Sequence, residues 1–232
     1  MSELGELGEL GEVAKMGEVA KMGEVAKAGE MSEMSDCDKR VLLLLGSSFE
    51  DAEAACALDF CGWSAYRPTL PNVSVTIASL HERVEGRFGL AFDHCVSVCD
   101  ICPDDFDGLV IPGGFRPAFD EVYCDEVYDL IRAFAKANKP IATMCVGVIP
   151  VARAGVLKGG FATTYEFSRH SNFDMIAEQG CLGRHEAVCD CDGIISCSGP
   201  WYSDEVMTVF LEHLLGEGPA AELVKYRKGL SQ

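Results

Sequence analysis

Residues 41–45 read Val-Leu-Leu-Leu-Leu, an apolar run with no polar alternation. A strand with one face in water alternates, so an unbroken run marks a strand covered on both faces, as in parallel sheets. Similar buried strands are expected at 106–111 and 140–144, and 73–80 adds one in which Val73, Val75 and Ile77 alternate. Helical patterns lie between them. Ser48-Phe49-Glu50-Asp51 reads as a helix start of the S-x-x-D type, with Gly62 as the stop. Val127, Leu130, Ile131 and Phe134 fall at i, i+3, i+4 and i+7, one helix face. An apolar helix is expected from Cys145 to about residue 154, another over 172–179, and a last one from Ser203 that buries Val206, Val209, Phe210 and Leu214. Short strands are expected within 84–99 and at 161–165, and a hairpin over 186–198 turns at Asp192-Gly193. Strands alternating with helices imply an α/β fold, an open parallel sheet with helices on both faces in a three-layer sandwich.

With 232 residues, the chain suits one domain and a tail. Residues 1–38 are expected to be a low-complexity acidic repeat tail, 39–216 the domain, and 217–232 an extension of helical character. The tail repeats GEL and then GEVAKM with a six-residue period, which matches no helix, and each Gly costs about 1 kcal/mol of helix stability relative to Ala. The tail is read as disordered or partly helical, with no chemistry assigned. A net charge of −18, from 37 acidic and 19 basic residues, repels phosphate backbones and anionic lipid. Nucleic acid and membrane surfaces are therefore not the expected partners. No stretch approaches the roughly 20 apolar residues of a membrane span. Glu recurs through the N-terminal segment where a secretory signal would be apolar, so the expected location is cytoplasmic. In that reducing setting the 12 cysteines read as small buried side chains rather than a disulfide framework. Their spacings match no paired C-x2-C site, so no metal is expected.

In an open α/β sheet, sites form beyond the carboxyl ends of the strands. Three segments deliver notable residues there: Glu50, Gly113-Gly114 and Cys145. Cys145 falls between a buried strand and a helix, the nucleophile-elbow position, where the helix dipole and first amides favour an anionic sulfur. Glu50 opens a helix and can point across the sheet edge; shielded beside a thiolate it would stay protonated and shuttle protons. Asp51 is assigned to capping, and Glu53 is the weaker candidate. The amides of Gly113, Gly114 and Val146 can hold an oxygen that becomes negative under attack by sulfur. Each feature also has a plain structural reading: one more buried cysteine, a first-turn acid, a glycine turn.

Together, the ordered motifs resemble the DJ-1/PfpI family of the class I glutamine-amidotransferase-like superfamily. The match covers roughly 39–216: Phe49-Glu50-Asp51 after the first strand, then Asp107-Gly108-Leu109-Val110-Ile111-Pro112-Gly113-Gly114, then Lys139-Pro140-Ile141-Ala142 leading to Cys145-Val146-Gly147. Ala154-Gly155-Val156-Leu157-Lys158-Gly159, Asp192-Gly193-Ile194-Ile195-Ser196 and Ser198-Gly199-Pro200 complete the series. The resemblance implies a flavodoxin-like sheet, a homodimer, and catalysis by Cys145 with Glu50, without metal or organic cofactor. Activities of such proteins include conversion of glyoxals to hydroxy acids, deglycation, isonitrile hydration, proteolysis and redox-sensitive chaperoning. The leading expectation is an enzyme of glyoxalase or deglycase type, classed as hydrolase or lyase, acting on small carbonyl substrates. The alternatives are a redox-sensing or chaperone-like protein of oxidative stress that uses an oxidisable Cys145, and an amidotransferase-like or peptidase-like hydrolase. Many members place His directly after the cysteine or in the next strand, where this chain has Val146 and Tyr165. That departure disfavours peptide hydrolysis. Tyr165 and His170 are the accessory candidates, with His185 a weaker one.

Overall fold

The computed structural model describes residues 38–166 and 171–230. The N-terminal repeats and His170 lie outside the described residues.

The strands and helices alternate as the apolar runs require. In chain order they are β1 (Lys39–Leu44), α1 (Asp51–Gly62), β2 (Val73–Ser79), β3 (Val84–Glu85), β4 (Ala91–Phe92), β5 (Val96–Ser97), β6 (Gly108–Ile111) and α2 (Asp125–Lys136). There follow β7 (Ile141–Met144), α3 (Val148–Arg153), β8 (Phe161–Ala162), α4 (Asn172–Ala177), β9 (Leu182–Gly183), β10 (Val188–Cys191), β11 (Ile194–Cys197), α5 (Ser203–Leu215) and α6 (Glu217–Arg227). Seven strands form the central sheet in the order β10-β11-β7-β6-β1-β2-β5. All neighbours in it are parallel except β10 and β11, which pair antiparallel as the expected hairpin. The sheet is therefore mixed and mostly parallel, with its antiparallel strand at an edge.

β1 supports the two-faced reading. Leu42 and Leu44 pack into one core with Ile131 and Phe134 of α2 and Ile149 of α3. Val41, Leu43 and Leu45 pack into the other with Phe60 of α1 and Phe210 of α5. Each fully buried Leu contributes roughly 1.5–3 kcal/mol, so this one strand anchors both helical layers. α2 buries Val127, Leu130, Ile131 and Phe134 as expected. In α5, Met207 and Leu211 join Val206, Phe210 and Leu214 in the core, whereas Val209 is only partly buried.

Two local expectations change. The first helix begins at Asp51, not at Ser48, and no side chain caps it. Ser48 instead has φ 61° and bonds through its N–H to Glu85. The Asp51 carboxylate accepts from the amides of Phe88 and Leu90 at 2.9 and 2.7 Å, tethering the β3–β4 hairpin rather than capping. The strand expected at 161–165 is cut to β8, which pairs with β9 outside the main sheet. Side-chain bonds replace the ladder there: the Thr163 amide donates to Ser196 Oγ, Thr163 Oγ1 to the Glu186 carbonyl, and Thr164 Oγ1 to the Cys145 carbonyl.

The turn after β7 packs closely against the end of β6. A Cβ on Gly147 would run into the carbonyl oxygens of Ile111 and Pro112, backbone atoms with little room to yield. α3 starts one residue later, which puts Pro150 in its first turn, where a missing N–H costs nothing. Gly147→Ala should therefore lower the unfolding free energy by about 1–3 kcal/mol, read from a denaturant melt. An unchanged midpoint would show that the turn is loosely packed.

Candidate active site

Cys145 follows Met144, whose backbone is extended at φ −124°, ψ 143°, and itself adopts φ 53°. A left-handed conformation is strained for a residue with a Cβ, and such strain collects at functional sites. Three things hold it there. Gly147 presses the turn against the end of β6, Thr164 Oγ1 bonds the Cys145 carbonyl at 3.0 Å, and Gly113 leaves space where a Cβ would meet that of Cys145 at 2.8 Å. The elbow expected from the strand-to-helix punctuation is thus in place. The side chain is partly exposed.

The carboxyl whose charge bears most on this sulfur is that of Glu53. It is fully buried, and its Oε2 accepts from the Gly113 amide at 2.6 Å. Its Oε1 is buried with no hydrogen-bond partner. Burial, opposed only by the Gly113 amide, pushes the Glu53 carboxyl up from 4.5 to about 8. At neutral pH Glu53 holds a proton, and the unpartnered Oε1 is the atom free to carry and donate it. Unpaired buried oxygens are uncommon, and a catalytic role is one physical reason for them.

Glu50 lies at the same strand end but is only partly buried. Its amide donates to the Gly113 carbonyl at 2.9 Å, so it too bonds the backbone of Gly113. Burial raises its carboxyl, and the nearby Asp51 charge adds to the rise. Its charge bears on Cys145 less than that of Glu53 does. Sequence reading placed Glu50 beside the thiol and ranked Glu53 below it. A signal was there: Glu53 shares the inward stripe of α1 with Ala54, Ala57, Phe60 and Cys61.

Burial pushes the Cys145 thiol well above its ordinary 9.0, the Glu53 charge adds, and the Val146 amide at the sulfur opposes. The depressed thiol expected from the helix dipole is therefore overturned. Desolvation at this turn outweighs a single amide lying two residues ahead of the six-residue α3. The oxygen-holding amides also sort themselves. Gly113 spends its N–H on Glu53, while Gly114 makes no hydrogen bond from its N–H among the described residues.

Tyr165 is partly buried near the elbow, with its ring 6.0 Å from that of the exposed Trp201 and its carbonyl bonded to Asn172. His185 stands away on an exposed loop, 3.4 Å from Glu166 and stacked on Phe173. It lines a cavity of about 160 Å³ with Thr164, Glu186 and Tyr202, and Cys145 is not in its wall.

Fold and site together define a class: α/β proteins with a cysteine on a strand-to-helix elbow and a buried acid from the first helix. The DJ-1/PfpI family profile matches residues 39–213. The deglycase PfpI of Pyrococcus furiosus is 32% identical over 128 residues, covering 54% of this chain and 72% of that one. Protein DJ-1 homolog A of Arabidopsis thaliana is 25% identical over 187 residues, 80% of this chain but 45% of that longer protein. The crystal structure of Drosophila melanogaster DJ-1beta superposes with a TM-score of 0.68 at 22% identity, covering 84% of this chain and all of that one. The chain belongs to the DJ-1/PfpI family, and its fold is the flavodoxin-like α/β fold. No helix among the described residues is long and apolar enough to cross a membrane.

The Glu53 proton makes a thermodynamic prediction. The unfolded carboxyl releases its proton near 4.5, and the folded one near 8. Between those values the native state binds the extra proton, so stability falls as pH rises, by up to about 1.4 kcal/mol per pH unit. Below 4.5 both states are protonated and this contribution is constant. Glu53→Gln, neutral throughout, should flatten that slope in urea melts from pH 5 to 8. Equal slopes for the two proteins would mean that Glu53 is ionised when folded.

Proposed function

We propose that the protein is a cysteine-dependent enzyme of glyoxalase or deglycase type that converts small reactive dicarbonyls into hydroxy acids without a cofactor. The observation that supports this most is the pairing of a strained elbow thiol with a buried acid that keeps its proton at neutral pH. The names of deglycase relatives at about 30% identity point the same way.

Cys145 Sγ bonds to the aldehyde carbon, and Glu53 relays the thiol proton to the carbonyl oxygen, giving a hemithioacetal. During attack that oxygen is negative, and the amides of Val146 and Gly114 hold it. The former aldehyde hydrogen then leaves as a proton, the electrons shift through an enediol, and the adjacent carbon is reprotonated. A thioester results. Water cleaves it, releasing the hydroxy acid and restoring the thiol. Glu53 is the proton carrier in each transfer, since its Oε1 has no other partner. Glu50 flanks it and tunes the field. A histidine base is not needed for this chemistry, which suits Val146 and Tyr165 better than peptide or glutamine hydrolysis does.

The same reading carries a homodimer, checked by light scattering. It also carries a reducing cytoplasmic setting, which suits the free thiols of all the described cysteines.

The test is lactate formation from methylglyoxal. Cys145→Ser should fall to background, Glu53→Gln by about 10²-fold or more, and Glu50→Gln by no more than about tenfold. A Cys145→Ser rate equal to wild type would sink the proposal. A larger loss at Glu50 than at Glu53 would return the proton-carrying role to Glu50.

A further inference from the structure

A second thiol stands against the first. Cys197 ends β11 and pairs in parallel register with Met144, the residue before Cys145. Strand spacing of about 4.8 Å and a rise of about 3.3 Å per residue put the Cys145 and Cys197 Cα atoms about 6 Å apart, within the roughly 4.4–6.8 Å that disulfides span. Met144 stays extended, so the chain keeps that spacing up to the Cys145 Cα. The Cys197 sulfur is fully buried, donates to the Gly199 carbonyl at 3.3 Å and receives the Cys145 amide. The Glu53 charge bears on both thiols more than that of any other residue does, so one carboxyl serves the two sulfurs.

We propose that Cys197 is a resolving thiol, which captures oxidised Cys145 as an intramolecular disulfide. This rests on Cys145 being the reactive group of the proposed enzyme. Access fixes the order of events, because Cys145 is partly exposed and Cys197 has no exposure. A hydroperoxide meets Cys145 first: the thiolate takes one oxygen to become sulfenic acid, and the O–O bond breaks to leave an alcohol or water. Cys197 then attacks the Cys145 sulfur, the S–O bond breaks, and the S–S bond forms. The departing hydroxyl takes a proton from Glu53, Glu53 regains one from Cys197, and water leaves. Both cysteines are oxidised by one equivalent of peroxide, which is reduced. Formation of the bond diverts Cys145 from the irreversible sulfinic acid. It also blocks the active-site sulfur until a thiol reductant reopens it.

The experiment treats the full-length protein with hydrogen peroxide in slight excess, blocks free thiols, and maps tryptic peptides without reduction. Residues 137–153 carry Cys145 as their one cysteine, and 185–225 carry Cys189, Cys191 and Cys197, which fragmentation separates. The expected result is a Cys145–Cys197 link in wild type that dithiothreitol removes. In Cys197→Ser and Cys197→Ala, melting at the wild-type temperature to confirm folding, the two-oxygen adduct at Cys145 should rise by about fivefold or more. If either variant fails to fold, the wild-type link itself decides. Sulfinic acid at Cys145 in wild type, with no link and at the rate seen in the variants, overturns the proposal while leaving a reactive Cys145. A link to Cys189 or Cys191 overturns it as well. If Cys145 stays reduced in every protein, the reactive-thiol reading falls with it.

Discussion

The hydrogen bond from the Gly113 amide to Glu53, 2.6 Å long, joins the end of β6 to the first turn of α1. The same residue is gripped from its other side, because the Gly113 carbonyl accepts from the Glu50 amide at 2.9 Å. The two peptide planes that flank the Gly113 Cα are thereby each held by a residue of one helix start. The position tolerates only glycine, since a Cβ would strike the Cys145 Cβ and the Val146 nitrogen. The segments that follow β1, β6 and β7 therefore meet at a single residue. A carboxyl buried with one amide partner is costly unless it is neutral. The protonation of Glu53 is thus a consequence of the packing that builds the site.

From that constraint the chemistry follows. Glu53 and Cys145 are two acids raised by burial, and the Glu53 charge raises the thiol further. Such a pair titrates as a unit and resists carrying two negative charges at once. With Glu53 protonated, the charge repulsion on the sulfur is lifted, and the Val146 amide is left to favour the thiolate. In the proposed reaction a carbonyl at the elbow gives the negative charge a third place to go, beside the Val146 and Gly114 amides. Donors aimed at charge that forms only during reaction lower the barrier more than they favour the resting state. The elevated resting thiol is compatible with that arrangement, because the sulfur need not be anionic until it attacks.

How much of this the sequence disclosed depends on the kind of signal. The buried strands were legible because residues 41–45 admit no solvent face, and β1 divides its side chains between two cores. The elbow was legible because a strand, a cysteine and a glycine precede a helix with Pro150 in its first turn. The choice of acid was not. Starting the helix at Ser48 made Glu50 a first-turn residue aimed across the edge, whereas a start at Asp51 turns Glu53 inward. A shift of three residues rotates the helix by most of a turn, which exchanges one carboxyl for the other. The strand expected at 161–165 failed for a related reason: Thr163 and Thr164 bond to neighbouring loops through their side chains, a choice that hydrophobic pattern does not encode.

Acidity does not single out Cys145 among the cysteines. Burial raises Cys56, Cys61, Cys181 and Cys189 as well, so a search for the lowest thiol would miss the site. What separates Cys145 is geometry: a positive φ, an amide at the sulfur, a protonated carboxyl from another element, and enough exposure to meet a small molecule. Cys61 shows the contrast. It is buried on the inward stripe of α1, raised to about 12 by desolvation alone, and packed in an apolar core. A thiol there fills space. The same atom at the elbow sits where backbone strain and a buried carboxyl converge, and the proposed reactivity rests on that convergence rather than on the sulfur itself.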